Sequence, residues 1–198
     1  MNFDLKAVTW DEDAMRRELG ATIAGAMITR LPLAPGLRVL DLGCGTGLVG
    51  LPIGLITGKL IGIDLSPAMV ARFQAKVAGR PGLTAMVRDL LRDPLPAESV
   101  DVAVSAMAFH HLPDPVAMLA ALHRTVVPGG WLAVADLETE DGSFHSTEVV
   151  PHNGFDPADL ATKATSVGWK NASCQRIHLV IKGGREYPVF LLVAHHEG

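Results

Sequence analysis

A chain of 198 residues, 48% hydrophobic and 19% charged, is large enough to bury a core and too apolar to be disordered. Its 17 basic and 21 acidic residues leave a net charge of −4 with no long basic run, which removes the electrostatic argument for a nucleic-acid partner. Two cysteines exclude a disulfide framework, and neither a signal peptide nor an apolar run of the roughly 18–20 residues that a membrane span needs is visible. The expectation is one cytoplasmic domain over residues 1–198.

Residues 11–30 read as a helix. Met15, Leu19, Ile23 and Met27 form one apolar stripe, and Asp11, Glu12 and Asp13 sit where negative charge favours a helix N-terminus. Trp10, just ahead, reads either as a ring packed on the core or as a lid residue over a ligand. Pro32 and Pro35-Gly36 end the element, so residues 1–34 are expected to form an N-terminal helical lid on a core of 35–198.

Val39-Leu40-Asp41-Leu42 is a short strand, followed by Gly43, Gly45 and Gly47 at alternate positions. A strand entering a glycine turn and then a helix lets a ligand approach the backbone and aims helix N-terminal N–H groups at it. The dinucleotide fingerprint needs a glycine at 48, where Leu48 stands, so a nicotinamide-dependent oxidoreductase is disfavoured. Residues 48–57 are expected as a short or kinked helix, since Pro52 and Gly54 are poor in a helix interior.

A second strand, 60–63, ends in Asp64, 23 residues beyond Asp41 and placed to accept hydrogen bonds from ribose hydroxyls. Leu65 follows it. Ser66-Pro67 opens a helix carrying Val70, Phe73 and Val77. Met69, in its first turn, reads as an adenine cover or a core residue. Leu83 to Val87 is a third strand, trailed by Asp89 and Leu90, which suit an adenine amino group and ring; a surface acid is the plainer reading of Asp89. Residues 100–107 form a fourth strand ending near Ala106. Asp114-Pro115 opens a helix through Val116, Leu119, Leu122 and Val126 that stops at Pro128-Gly129-Gly130, and Trp131 to Asp136 is a fifth strand. After a polar loop over 137–155 come a helix from Asp156-Pro157 and two strands, 170–181 and 187–195, joined by Lys182-Gly183-Gly184-Arg185. The fold class is α/β: a doubly wound, Rossmann-like, mostly parallel seven-stranded sheet with a C-terminal antiparallel hairpin.

The Asp41 to Gly47 run, D-x-G-x-G-x-G, resembles motif I of the class I S-adenosylmethionine (SAM)-dependent methyltransferases, of the type acting on quinones and small metabolites. Val39 to Gly47, Asp64, Asp89, the Ala106 to Pro115 segment and Val127-Pro128-Gly129-Gly130 agree with it in order. The resemblance implies Gly43, Gly45 and Gly47 at the methionine part of SAM, Asp64 at the ribose, Asp89 and Leu90 at the adenine, and Ala106 near the sulfonium. It implies methyl transfer to a small molecule, the product being S-adenosylhomocysteine; the alternative is a SAM-binding sensor or assembly partner without transfer activity. In-line transfer needs mainly alignment, and a base only where the acceptor loses a proton. Of the eight histidines, His110, His111, His145 and His152 fall where an acceptor would bind, with His111 and then His152 the candidate bases. A hydrogen-bonded loop histidine is the plainer reading of each. No pair has helical ligand spacing with an acidic partner, so no metal site is expected.

Overall fold

A computed structural model describes residues 3–145 and 149–197. Among these residues seven strands form one sheet: β1 (Arg38–Leu42), β2 (Lys59–Asp64), β3 (Leu83–Val87), β4 (Val100–Ala106), β5 (Val126–Leu137), β6 (Lys170–Lys182) and β7 (Arg185–His195). Their order is β3-β2-β1-β4-β5-β7-β6. The first five are parallel, and β7 runs antiparallel between β5 and β6. The Gly183-Gly184 turn joining β6 to β7 has both residues at positive φ (+60° and +75°), the geometry a two-residue hairpin requires.

The helices are α1 (Phe3–Ala7), α2 (Ala14–Arg30), α3 (Gly50–Thr57), α4 (Pro67–Val77), α5 (Pro115–Thr125) and α6 (Pro157–Ser166). Successive residues of β1 point to opposite faces, as strand pleat dictates. Val39 joins an apolar cluster with Ile23 and Met27 of α2, Ile53 of α3 and Phe73 of α4. Leu40 and Leu42 join a second with Leu119 and Leu122 of α5, Leu160 of α6 and Trp169. The sheet is therefore covered on both faces, which fits its near-continuous apolar strands.

Helix starts follow local chemistry. Ser66, Asp114 and Asp156 each accept a first-turn backbone N–H with their side chain, and each is followed by proline, whose missing donor costs nothing there. Asp13 does the same for α2 by accepting from Arg16 N (3.2 Å). That cap corrects the expected start at residue 11: Trp10–Glu12 is a separate 3₁₀ turn. α3 begins at Gly50, so Pro52 falls in its first turn and breaks no helical bond. Val126, expected to extend α5, instead caps it by donating to Leu122 O and begins β5 opposite Val100. No helix among the described residues is long and apolar enough to cross a membrane.

Candidate cofactor and acceptor site

β1 and β4 are neighbours, yet the chain leaves β1 for α3 and β2 and leaves β4 for α5 and β5 in the opposite direction. The crevice beyond their C-terminal ends is the switch point where α/β sheets hold ligands. The two strands are pinned there by buried Ser105, whose Oγ donates to Leu42 O (2.9 Å). The loops beyond them touch: a Cβ on Gly43, at φ +67°, would lie 2.5 Å from Ala108 Cβ. Gly45, at φ +51°, is the opposite case, with no atom within 4 Å of its Cβ position. Gly47 N donates to Cys44 O (2.8 Å) and closes the turn.

Asp64, at the end of β2, braces this turn. Its Oδ2 accepts from Gly45 N and its Oδ1 from Ser66 N, both at 2.9 Å. Burial raises its pKa, and these N–H bonds oppose the rise. A carboxylate has about four acceptor sites, so Asp64 keeps capacity for a further donor. Below it, Asp41 is 2% exposed and its Oδ2 has no hydrogen-bond partner among the described residues. Burial, then the Asp64 charge, pushes the Asp41 pKa up to about 7. The folded state thus holds this proton more tightly than the unfolded chain does. Its contribution to stability is full near pH 4 and is lost as pH rises to 7. Asp41→Asn is therefore expected to exceed the wild type in stability by about 2–4 kcal/mol at pH 8, with the gap closing toward pH 4. Urea unfolding at both pH values measures it; a pH-independent gap would contradict the buried carboxyl.

The other positions singled out in the sequence are spread around the same edge. Leu65 is exposed, and Ala106 is half-buried where β4 ends. Met69 and Leu90 are each 1% exposed, with the Leu90 side chain packed in the α5-side cluster. Asp89 Oδ1 accepts from Leu91 N (3.0 Å) while Oδ2 pairs with exposed Arg92 (3.5 Å). Trp10 is half-buried, with the Arg16 guanidinium 4.0 Å above its ring centroid and Phe3 edge-on at 5.9 Å.

The N-terminal segment is tied to the glycine turn and to α4. Asp4 accepts from Ser66 Oγ and Ala68 N. Asp11 accepts from Thr46 Oγ1 (2.6 Å) and pairs with Lys76 (2.7 Å), which also donates to Thr46 O. Phe3 lies edge-on to the His111 ring at 5.2 Å, reaching the segment after β4.

That segment carries histidines which the fold brings together with a residue from beyond β5. His110 is 1% exposed, and its Nδ1 lies 2.5 Å from Oδ1 of fully buried Asp136. Asp136 also accepts from His110 N (3.2 Å) and Leu137 N (2.7 Å). With Nδ1–H donated to a carboxylate, His110 Nε2 is the basic nitrogen. It faces His145 Nε2 at 3.0 Å. The His111 ring centroid is 4.0 Å from that of His110, and burial, then the charges of His110 and His145, push its pKa down to about 3. His152 stands apart from this cluster in its contacts: N donates to His110 O (3.2 Å) and the ring packs on Phe155. Its Nε2 is buried without a hydrogen-bond partner among the described residues. The sequence puts His110 and His145 among the histidines where an acceptor would bind, but gives Asp136 no role beyond ending the fifth strand. An acid closing an otherwise apolar strand was the available signal.

Residues 40–134 match the family described as "Methyltransferase domain". The ubiquinone biosynthesis O-methyltransferase of Xanthomonas oryzae is 30% identical over 185 residues, covering 84% of this chain and 75% of the relative. The chain belongs to the class I SAM-dependent methyltransferase family. The chain is also 32% identical over 136 residues to the ubiquinone biosynthesis O-methyltransferase of Cereibacter sphaeroides, and there the match spans 53% of the relative's length. Among solved structures, a chain of the complex between the Haloferax volcanii Trm112 methyltransferase activator and the putative methyltransferase superposes with a TM-score of 0.81 at 22% identity, covering 99% of this chain and 98% of that one. A SAM-dependent methyltransferase from Aquifex aeolicus gives 0.74 at 24% identity, with 98% of both chains covered.

SAM is the cofactor of this family, and the residues present fit it. The empty position beside the Gly45 backbone admits a ligand without displacing a side chain. The spare lone pairs of Asp64 match a vicinal diol.

Proposed function

We propose that the protein transfers the methyl group of SAM to the oxygen of a small hydroxylated acceptor. One observation carries this reading: Asp64, with acceptor capacity to spare, stands beside the open Gly45 turn at the switch point, and the imidazole cluster is built from the segments that follow the neighbouring strand β4 and β5. SAM, when bound, supplies a methyl group on a sulfonium already activated for in-line displacement. In this reading Gly43, Gly45 and Gly47 receive the amino-acid part through their backbone, Asp64 accepts from the ribose hydroxyls with Leu65 beside it, and Asp89 takes the adenine amino group. Met69 and Leu90 form the floor beneath the base, and Ala106 borders the reacting centre.

The acceptor side belongs to the histidines. His111, kept neutral by burial, lines it with Phe3 packed on its edge. His152 contributes through its backbone bond to His110 and its own unpartnered Nε2. Oxygen as the methylated atom follows the printed names of the curated relatives. The N-terminal segment, with Trp10 clasped by Arg16, serves as a lid: its bonds to Thr46, Ser66 and Lys76 run to the elements that hold the cofactor. Closing it excludes water and fixes the acceptor against the methyl group.

Calorimetric titration of SAM, S-adenosylhomocysteine and NAD tests the cofactor half. Asp64→Ala is expected to weaken SAM binding by roughly tenfold or more, since charge-assisted bonds to the ribose are lost. Preference for NAD, or an unchanged affinity in Asp64→Ala, would overturn it. Stoichiometric SAM binding with no methyl released to any hydroxylated acceptor would favour the sensor reading.

A further inference from the structure

We propose that His110, His111 and His145 bind one divalent cation of the zinc class, leaving a coordination position open toward the acceptor. Each offers a ring nitrogen, and these atoms lie within 4.8 Å of one another. The tightest pair, His110 Nε2 and His145 Nε2, is 3.0 Å apart. Two nitrogens on a tetrahedral zinc, each about 2.0–2.1 Å from the ion, sit about 3.3 Å apart. A shift of a few tenths of an ångström therefore converts this contact into a pair of ligands. A hydrogen bond accounts for that pair alone. His111, on the same 3₁₀ turn as His110, brings a third ring nitrogen within reach of both.

The surroundings are those of a metal ligand. Asp136, fully buried, grips His110 Nδ1 and is itself held by two backbone N–H groups. Carboxylates behind ligating histidines fix the tautomer, aim the other nitrogen and raise its basicity. His111 and His145 are half-buried, which leaves the ion a route from solvent. Three imidazoles without a carboxylate among them suit zinc or its transition-metal neighbours and not magnesium or calcium. On coordination His145 takes the tautomer protonated at Nδ1, its Nε2 proton moving there through water, and both Nε2 lone pairs go to the ion.

Sequence reasoning expected no metal because it looked for helical ligand spacing. Here two ligands follow β4 and the third follows β5, and only the sheet makes them neighbours. The consequence for chemistry rests on the proposed methyl transfer: a hydroxyl on the open position would lose its proton more readily, sharpening the oxygen nucleophile. Metal binding itself does not depend on that reading.

The test uses the full chain after dialysis against a chelator. Zn²⁺ is titrated calorimetrically, and Co²⁺ is followed by its visible ligand-field bands. The expected result is one equivalent of either ion. His145→Ala and His110→Ala should abolish stoichiometric binding, and Asp136→Asn should weaken it about 10–100-fold. His195→Ala, remote from the cluster, should change nothing. His145 is on a loop, so its variant keeps the test decisive if His110→Ala fails to fold. Absence of stoichiometric binding in the wild type, or binding unchanged in His145→Ala, would overturn the proposal. SAM titrated into the same metal-free samples reports separately on the methyltransferase reading.

Discussion

Gly43→Val is expected to eliminate measurable SAM binding and to lower stability by about 2–5 kcal/mol. Two costs add. At φ +67° any Cβ strains the backbone by about 1–2 kcal/mol. The Cβ would also fall 2.5 Å from that of Ala108, which forces apart the loops beyond β1 and β4. That separation opens the switch-point crevice and moves the backbone donors of the turn. Gly45→Ala is the matched control: it has a similar φ but meets nothing, so it should fold and bind more weakly, its methyl occupying space the ligand needs. Thermal melting with calorimetry distinguishes the two. Equal binding by Gly43→Val and the wild type would mean that the crevice does not hold the cofactor.

Trp169→Ala is expected to cost about 3–5 kcal/mol, enough to threaten folding, with no direct effect on the site. Trp169 is fully buried between α5 and the start of β6, and its Nε1 donates to Leu119 O (3.0 Å). Removing it opens a large cavity in the α5-side cluster and leaves a buried carbonyl without that donor. Guanidinium unfolding gives the loss directly, and Trp169→Phe should restore part of the packing but not the hydrogen bond. A loss under about 1 kcal/mol for the alanine variant would show that the helix layer relaxes to fill the space.

The elements legible in the sequence were those specified by local rules. The glycine turn declares itself because a positive-φ backbone admits few residues, and Ser66-Pro67, Asp114-Pro115 and Asp156-Pro157 declare helix starts because cap and proline act within one turn. Val126 misled because it continues the 3–4 spacing of Leu119 and Leu122, whereas pairing with Val100 across the sheet decides its state. α1 was not foreseen: five residues carry no apolar period, and the polar contacts of Asp4 to α4 come from distant sequence. The sequence placed His110 and His145 near the acceptor, but their meeting with Asp136 in one group was not legible, for the same reason. Each residue is ordinary in its own segment, and the register of β4 with β5 makes the cluster.

The insertion of β7 between β5 and β6 bears on how the chain matures. On a ribosome, β1 to β5 emerge first and can assemble as a parallel sheet, but the outer edge of β5 from Trp131 to Leu137 must wait for Val189 to His195. Until then an apolar strand carries unpaired N–H and C=O groups, the surface on which nascent chains stick to one another. β6 emerges earlier yet cannot relieve it, because its partner is β7 and not β5. Truncation before Arg185 would fix the chain in that unfinished state, so the last strand acts as the protein's own guard against aggregation.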